Sequence, residues 1–382
     1  MGPTIILDKS ALQSLPQRAV YELSTYFYTN ITPVVLMEIL ADLRLDGKDM
    51  DRCRAIVSDM AHKVIPVDAA TNVHFQPLCI LDLLGGKVKM DRRAIVGGGQ
   101  QVTSADGRKA FVVGVQPENE AVLRWLHGNF SEADLEFAAN WRKTIEAANL
   151  EVEKRKLPRP MKPIKSLPEL RGFVDTMLSH PDCQVDLLEH LMQLLRLQGD
   201  IRDCVRSRWR NNNHTSIKGF APYAHHCLRV QLLFCFGISS GLLGTRNSNI
   251  VDVEYLYYTP FCRVFSSGDK FLQRMASLVL ADDQSFVCRD DLRQTLDEVA
   301  VRREAASSVS AASPVQNPPV EPDENSLIQA LWKKHHGRFV PQANREPVSR
   351  ERSEQIMKEL RPIMEAMNKA SRERPHQRRF PV

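Results

Sequence analysis

The chain has 382 residues, which is enough for two or three domains. Apolar residues make up 43% of it and charged residues 25%, proportions that are ordinary for a soluble globular protein and exclude a wholly disordered one. The net charge of +5 fits a polyanionic partner but does not require one.

The cysteines and the apolar runs give further exclusions. The eight cysteines are scattered and form no Cys-x-x-Cys pair, so we expect no zinc site. Several lie in apolar runs, as reduced core cysteines do, which predicts a cytoplasmic protein. The N-terminus lacks the successive regions of a signal peptide. The longest apolar run, residues 230–244, is about five short of the roughly 20 residues that a membrane span needs, so we predict no membrane association.

An acid follows the first apolar run of the chain. Residues 4–7 predict a buried strand, and Asp8 comes directly after them at the start of a helix. Residues 13–65 have helical spacing with one break before Pro33, which suits the first position of a new helix.

A second acid stands within that new helix. Glu38 lies in an otherwise apolar run, and Asp42 follows one turn later on the same face. An unpaired acid in an apolar run is costly, so Glu38 is poorly explained as a surface charge. Residues 64–67 predict a second strand, and the alternation of strands and helices indicates an α/β fold.

From residue 84 the composition changes. Glycines cluster at residues 97–99, and Asp106 with Gly107 separates two β-prone runs, which predicts a β-hairpin. The clustered glycines could also cradle a nucleotide phosphate, but no Gly-Lys-Ser/Thr follows them and no helix clearly begins there. We therefore favour a hairpin arm over a nucleotide-binding loop.

Arginines surround a tryptophan in the second half of the chain. Arg206, Arg208 and Arg210 flank Trp209, and basic residues around an aromatic suit phosphate contact with base stacking. The alternative is a solvated helix end whose tryptophan packs in the core. A His-His-Cys run at residues 225–227 could suggest metal ligands, but neighbours on a helix point about 100° apart and cannot hold one ion together.

A helix, a strand and their acids lie close together late in the chain. Asp252 and Glu254 begin a helical run that Pro260 ends, because proline cannot continue the hydrogen-bond ladder. Residues 262–266 predict a buried strand. Asp269 would sit just past its carboxyl end, where α/β sheets place their ligands.

In order and setting, these acids resemble the site of PIN-like metal-dependent nucleases. That family has a small parallel-sheet α/β fold with an acid after the first strand and a glutamate on an early helix. A third acid heads a late helix, and a fourth follows the next strand. The residues that match these positions are Asp8, Glu38, Asp252 and Asp269. Ser267 matches a hydroxyl that usually lies two residues before the last acid.

The resemblance implies that the four carboxylates hold one or two Mg²⁺ or Mn²⁺ ions, since clustered carboxylates repel one another unless cations lie between them. It implies direct metal ligation by Asp8 and Asp252. Glu38 would be a ligand or orient water, Asp269 would be an outer ligand, and Ser267 would hold a carboxylate or phosphate. Hydrolysis would leave a 5′ phosphate and a free 3′ hydroxyl, without use of the RNA 2′-hydroxyl.

Two further acids are secondary candidates. Asp252 and Glu254 point roughly 200° away from each other on a helix, so only one faces the site, and Asp252 matches the family spacing better. Glu254 and Asp42 are therefore kept as secondary residues. For each acid, the plain alternative is an N-cap or a surface charge.

The resemblance also divides the chain into segments. We expect a PIN-like domain in two parts, a largely helical insertion with a small β-hairpin that roofs the site, a linker, and a helical, basic and partly disordered C-terminal extension. The segments are, in that order, residues 1–83 with 245–303, 84–244, 304–325 and 326–382.

Two functions fit the sequence. The first is a metal-dependent endonuclease, with RNA favoured as substrate and single-stranded DNA kept as an alternative. The second is a PIN-like scaffold without turnover that binds nucleic acid, or binds a protein partner or a second copy through the C-terminal extension. A complete set of four acids favours the first function, whereas an acid held by Lys or Arg in place of metal favours the second.

Overall fold

The computed structural model describes residues 2–45, 47–64, 69–103, 109–113, 116–151, 154, 160, 162–309, 321–337 and 358. The centre of the fold is a five-stranded sheet in which every neighbouring pair of strands is parallel. The strands are β1 (Thr4–Leu7), β2 (Tyr28–Ile31), β3 (Ala69–Thr71), β4 (Gly99–Thr103), β5 (Lys109–Val113), β6 (Val264–Ser267) and β7 (Ser285–Cys288). The sheet has the order β3-β2-β1-β6-β7, while β4 and β5 form a separate antiparallel pair. The predicted α/β class is confirmed.

The central strands are apolar because both of their faces are covered. Ile5 and Ile6 in β1 and Val264 and Phe265 in β6 are fully buried. Burying each such side chain contributes about 1.5–3 kcal/mol to folding, and β-branched and aromatic residues fit the pleated surface well. A continuous apolar run is the expected sequence of a strand buried in a parallel sheet.

Helices connect the strands and extend beyond them. In chain order the helices are α1 (Lys9–Ser14), α2 (Gln17–Tyr26), α3 (Pro33–Ala41), α4 (Met50–Val64), α5 (Phe75–Leu83), α6 (Pro117–Leu126), α7 (Glu132–Ala147), α8 (Leu167–Ser179), α9 (Gln184–Leu194), α10 (Gly199–Asn211), α11 (Ile217–Phe220), α12 (Pro222–Ser239), α13 (Asn249–Tyr255), α14 (Lys270–Val279), α15 (Arg289–Val309) and α16 (Leu327–His335). Short 3₁₀ turns lie at Asp42–Arg44, Pro181–Cys183 and Leu256–Phe261.

The helices of the predicted insertion pack onto the helices and 3₁₀ turns around the sheet. α12 lies against α5 and against the 3₁₀ turn Leu256–Phe261, and α7 lies against α3. Buried apolar residues of both parts belong to one cluster. The insertion therefore reaches the same end of the molecule as α3.

A buried ion pair fixes the long helix α15 against α2. Arg303 donates two hydrogen bonds to the Glu22 carboxylate, at 2.6 and 2.8 Å. Both side chains are buried, and removing one partner of such a pair typically costs about 3–5 kcal/mol because the other charge is left without compensation.

The structure corrects three predictions. The helical spacing predicted over residues 13–65 is interrupted before Pro33 by the strand β2, which was not predicted. The late helix ends at Tyr255 and continues as a 3₁₀ turn that contains Pro260, so the proline lies within the turn and does not end the α-helix itself. The linker predicted from residue 304 is helical as far as Val309.

Other predictions are confirmed or fall outside the described residues. β4 and β5 pair from Gly99 with Val113 to Thr103 with Lys109, as the hairpin prediction requires, although residues 104–108 are not described. The strand predicted at residues 64–67 falls mostly on undescribed residues, and Val64 is the end of α4. The C-terminal extension after residue 337 is also not described, apart from residue 358.

Within the described residues, no helix combines the length and the hydropathy that crossing a membrane requires.

Candidate functional site

Asp8 lies at the carboxyl end of β1 and caps α1. Its Oδ1 accepts a hydrogen bond from the Ala11 backbone amide at 2.7 Å, so the acid has the structural role of an N-cap. Its Oδ2 accepts from the Ser267 hydroxyl at 2.7 Å, and the Ser10 hydroxyl contacts both oxygens. Burial raises the pKa of Asp8, although these hydrogen bonds, Ser267 first, act in the opposite direction.

Asp269 has the equivalent position on the neighbouring strand. It follows β6 and caps α14, where its Oδ1 accepts from the amides of Phe271 at 2.7 Å and Leu272 at 3.3 Å. The Ser267 hydroxyl that donates to Asp8 also accepts a hydrogen bond from the Asp269 backbone amide at 2.9 Å. Because β1 and β6 are adjacent and parallel, their ends meet, and Ser267 joins the two acids there.

Glu38 on α3 is held in place by a tyrosine. The Tyr255 hydroxyl donates to Glu38 Oε2 and accepts a hydrogen bond from the Lys9 backbone amide at 3.1 Å. The Lys9 ammonium group donates to the carbonyl oxygen of Glu38 at 3.2 Å. Burial raises the pKa of Glu38 to about 7, although the Tyr255 hydrogen bond and the Lys9 charge lower it.

Arg246 bridges the two remaining acids. Its Nη2 lies 3.0 Å from Asp252 Oδ2 and 2.6 Å from Asp269 Oδ2. The arginine side chain is 61% exposed, whereas Asp252 is buried. Burial, followed by the charge of Asp269, raises the pKa of Asp252 to about 6 in spite of this arginine. One exposed guanidinium therefore does not offset the burial of Asp252.

The two secondary candidates differ. Glu254 accepts no hydrogen bond from any residue that the structure describes, and burial together with the charge of Glu38 raises its pKa to about 7. It is thus within electrostatic reach of Glu38, although it was expected on the opposite face of its helix. Asp42 Oδ1 accepts from the Lys9 ammonium at 2.6 Å and from the Arg142 guanidinium at 3.3 Å, so Asp42 is paired.

We call Asp8, Glu38, Asp252 and Asp269 the carboxylate cluster, because their charges interact. The charges of Asp269 and Asp8 act on Asp252, and those of Asp252 and Asp8 act on Glu38. Burial and nearby negative charges both disfavour ionisation of a carboxyl group. The raised pKa values of Glu38 and Asp252 therefore indicate that the fold itself supplies too little positive charge for these two acids.

The oxygen atoms of the cluster suit a hard divalent cation such as Mg²⁺ or Mn²⁺. Glu38 Oε1 and Asp252 Oδ1 accept no hydrogen bond from the described residues. Neither oxygen is among the fully buried side-chain atoms that lack a partner, so both are accessible to a ligand. As arranged here, no three His, Cys, Asp or Glu side chains in the described part of the chain are grouped so as to hold a metal ion. A cation shared by Asp252 and Asp269 would have to displace the Arg246 guanidinium.

The arginines expected to contact nucleic acid are bonded within the protein. Arg206 on α10 forms a bidentate pair with Glu189 at 2.7 and 2.8 Å. Arg208 donates to the carbonyl oxygen of Leu83 at 2.8 Å and lies 4.1 Å from the centre of the Phe220 ring. Both side chains therefore hold α10 against its neighbours.

Trp209 is in the core. It is 5% exposed, and its indole N–H donates to the carbonyl oxygen of Thr215 at 2.8 Å. A buried ring cannot stack on a base, so the role predicted for Trp209 in nucleic-acid binding is wrong, and the core-packing alternative is correct. Arg210 is exposed and donates to the Arg206 carbonyl oxygen at 3.4 Å, which leaves most of its guanidinium accessible.

Other residues that position the acids are not among those predicted from the sequence. Ser10 stands two residues after Asp8, and this spacing could have suggested that its hydroxyl reaches the carboxylate. Tyr255 follows Asp252 by three residues, which places both on neighbouring positions of one helix face. Arg246 precedes that helix in a loop, and its contact depends on the path of the loop, for which the sequence offers no signal.

The chain matches no family model, no curated protein sequence and no solved structure. What the carboxylate cluster does therefore has to follow from its own atoms and their surroundings.

Proposed function

We propose that the protein has a PIN-like fold and is a metal-dependent nuclease that hydrolyses phosphodiester bonds, with RNA favoured as substrate. The observation that carries this proposal is the meeting of Asp8, Glu38, Asp252 and Asp269 at one edge of the sheet. Two of them follow adjacent parallel strands, and two come from helices beside those strands. Ligand sites of α/β sheets lie at this edge, which supports the proposal.

A divalent cation would supply the chemistry. Bound Mg²⁺ or Mn²⁺ polarises a phosphodiester oxygen and lowers the pKa of a bound water. Glu38 and Asp252, which each keep one oxygen free of hydrogen bonds from described residues, would hold the ion together with Asp8 once these side chains close around it. A nearby positive charge favours the ionised form of a carboxyl group, so occupancy would lower the raised pKa values of Glu38 and Asp252.

The hydrogen bonds of the cluster orient its carboxylates. Ser267 holds Asp8 and the turn that leads to Asp269, and Tyr255 holds Glu38 while it is itself fixed by the Lys9 amide. Such supporting groups keep ligands from rotating, and their loss typically costs about 10–100-fold in metal affinity or activity.

The ion pairs that Arg246 forms with Asp252 and Asp269 favour a second function. Arg246 holds Asp252 and Asp269 together as a cation would, which fits a PIN-like scaffold without turnover that binds nucleic acid or a protein partner. In that case the carboxylates would be structural, with Asp8 and Asp269 acting as helix N-caps.

A hydrolysis assay separates the two functions. The full chain is incubated with end-labelled RNA, single-stranded DNA or duplex DNA, in Mn²⁺ or in EDTA, next to the variant Asp8→Asn. The control variant, Asp282→Asn, makes the same chemical change at an exposed position outside the cluster.

The nuclease proposal expects cleavage of RNA in Mn²⁺ and none in EDTA, with 5′-phosphate and 3′-hydroxyl ends. Asp8→Asn should lower the rate by at least about 100-fold, because a lost ligand removes several kcal/mol of charge stabilisation. The rate of Asp282→Asn should equal that of the unchanged chain. Cleavage that persists in Asp8→Asn would contradict the assignment, and no cleavage under any condition would favour the scaffold.

A further inference from the structure

A cavity of about 470 Å³ lies beside the residues that follow α3, the helix that carries Glu38. One side is formed by residues 43–45, 47, 48 and 50, which follow α3, and the other by α7, which packs against α3 and the 3₁₀ turn Asp42–Arg44. None of the catalytic roles proposed above involves this cavity.

The charged side chains around the cavity are mainly basic. Arg44, Lys48, Arg142 and Lys143 line it, and Glu146 is the one acid among its described lining residues. Arg142 is committed to Asp42, with which it forms an ion pair at 3.3 Å. The other three basic side chains are exposed and form no ion pair with any residue that the structure describes. We call Arg44, Lys48 and Lys143 the basic rim.

The cavity is linked to the cluster through Asp42. Asp42 accepts from Arg142 at the cavity wall and from Lys9, which also donates to the Glu38 carbonyl oxygen. Arg44 follows Glu38 by six residues, which is a rise of about 10 Å along a helix. That distance corresponds to a few nucleotides of a strand at about 3.4 Å per nucleotide.

A polyanionic substrate needs positive charge near this cluster. The carboxylates repel the phosphates of any strand that approaches them, and two cations in contact with these acids, Lys9 and Arg246, are already bonded to acids or backbone. The three side chains of the basic rim, in contrast, form no ion pair with any residue that the structure describes. Lys and Arg on a concave surface bind phosphates by releasing the counterions that surround them.

We propose that the basic rim binds the phosphodiester backbone of a nucleic-acid strand a few nucleotides from the bond held at the carboxylate cluster. The proposal deepens, and rests on, the nuclease function proposed above. A free nucleotide carries the same phosphate chemistry, but it would engage only one or two phosphates, whereas the rim presents three cations around one cavity.

The test measures binding without hydrolysis. The full chain is titrated against a fluorescent single-stranded RNA of about 12 nucleotides, within the usual site size for such strands, in EDTA and over a series of salt concentrations. The variant carries Arg44→Gln, Lys48→Gln and Lys143→Gln, which remove charge but keep part of each aliphatic stem. Its control carries Arg274→Gln, Arg293→Gln and Lys333→Gln, three exposed basic residues on α14, α15 and α16.

We expect the rim variant to bind more weakly and its plot of log affinity against log salt to be less steep by about 2, because each phosphate contact on a single strand contributes about 0.7 to that slope. The control variant should keep the slope of the unchanged chain. Glu146→Gln should tighten binding, since it removes the one acid of the described lining. Thermal unfolding of each variant verifies that it is folded.

Two results would overturn the proposal. An unchanged slope in the folded rim variant would show that the rim does not contact the strand. Competition by 5′-AMP as strong as by the RNA would mark the cavity as a site for small phosphate compounds. Binding with the expected slope but without cleavage in Mn²⁺ would contradict the nuclease function alone, and cleavage with an unchanged slope would contradict the rim alone.

Discussion

The carboxylate cluster and the arginines of α10 are both groups of like charges. They differ in whether the fold provides a compensating opposite charge. On α10, Arg206 is paired with Glu189, whose pKa falls to about 2, chiefly because of the Arg206 hydrogen bond. In the cluster, burial and mutual repulsion raise the pKa of Glu38 to about 7 and that of Asp252 to about 6.

This difference in compensation indicates which charged groups are still able to bind a ligand. A charge that already has a partner and a fixed geometry stabilises the protein and offers little to a ligand. A buried charge without enough compensation is costly to the folded state, and it persists where a ligand supplies the missing charge. By this criterion the cluster keeps capacity for a ligand, as the proposed function requires, and Arg206 and Arg208 stabilise the fold.

The largest expected effect concerns the structural side of this comparison. Arg208→Ala removes the hydrogen bond to Leu83 and the contact with the Phe220 ring, and we expect it to lower the free energy of unfolding by about 2–3 kcal/mol. Affinity for single-stranded RNA should not change. Urea denaturation and the RNA titration measure the two quantities.

Arg210→Ala is the matched control for that variant, because Arg210 is on the same helix but exposed. We expect it to change stability by less than about 0.5 kcal/mol. If Arg208→Ala were as stable as the control and also bound RNA more weakly, the assignment of Arg208 to the structural class would be wrong.

The second effect is a pH dependence that the cluster imposes. The pKa of Glu38 rises from 4.5 to about 7 on folding, so the folded state binds more protons than the unfolded state between these values. Stability in EDTA should therefore fall as pH rises through this interval. Glu38→Gln, whose amide oxygen still accepts from Tyr255, should be more stable than the unchanged chain by about 1–2 kcal/mol at pH 8 and equal to it near pH 4.

Denaturation at both pH values measures this difference, and a destabilised Glu38→Gln at pH 8 would show that the glutamate is already compensated. Mn²⁺ should reduce the difference, because bound cation favours the ionised carboxylate.

The smallest effect concerns Arg246. Because its side chain is 61% exposed, solvent weakens its ion pairs, and Arg246→Ala should lower stability by less than about 1 kcal/mol in EDTA. It should also increase the rise in melting temperature that Mn²⁺ causes, since the guanidinium no longer competes for Asp252 and Asp269. Arg274→Ala, an exposed control on α14, should show the Mn²⁺ response of the unchanged chain. A smaller response in Arg246→Ala would favour the scaffold function.

The sequence predicts those site residues whose setting is local. Asp8 and Asp269 are recognisable because each follows a short apolar run and precedes a helix, so that strand end and N-cap coincide. Glu38 is recognisable as an acid within an apolar helix. Each of these features depends on a few neighbouring residues. The parallel pairing of β1 with β6 then brings Asp8 and Asp269 close together.

The remaining features depend on distant partners. β2 was overlooked because its buried Asn30 is polar, and its side-chain amide donates to the carbonyl oxygen of Phe261 at 3.1 Å, a partner 231 residues away. The burial of Trp209 depends on the packing of α10 as a whole. The contact of Arg246 is set by a loop, and loops carry no periodic pattern from which a position could be inferred.

The pairing of β1 with β6 has a consequence for the order of events during synthesis. Ser267 donates to Asp8 across 259 residues of chain, so the carboxylate cluster does not exist until the ribosome has added those residues after Asp8. At roughly 5–20 residues per second, this delay is on the order of 10–50 s. For that time, the nascent chain carries Asp8 and Glu38 without their partners. A protein that cuts nucleic acid would thus be inactive near its own messenger RNA until the segment that carries Ser267 and Asp269 has been made.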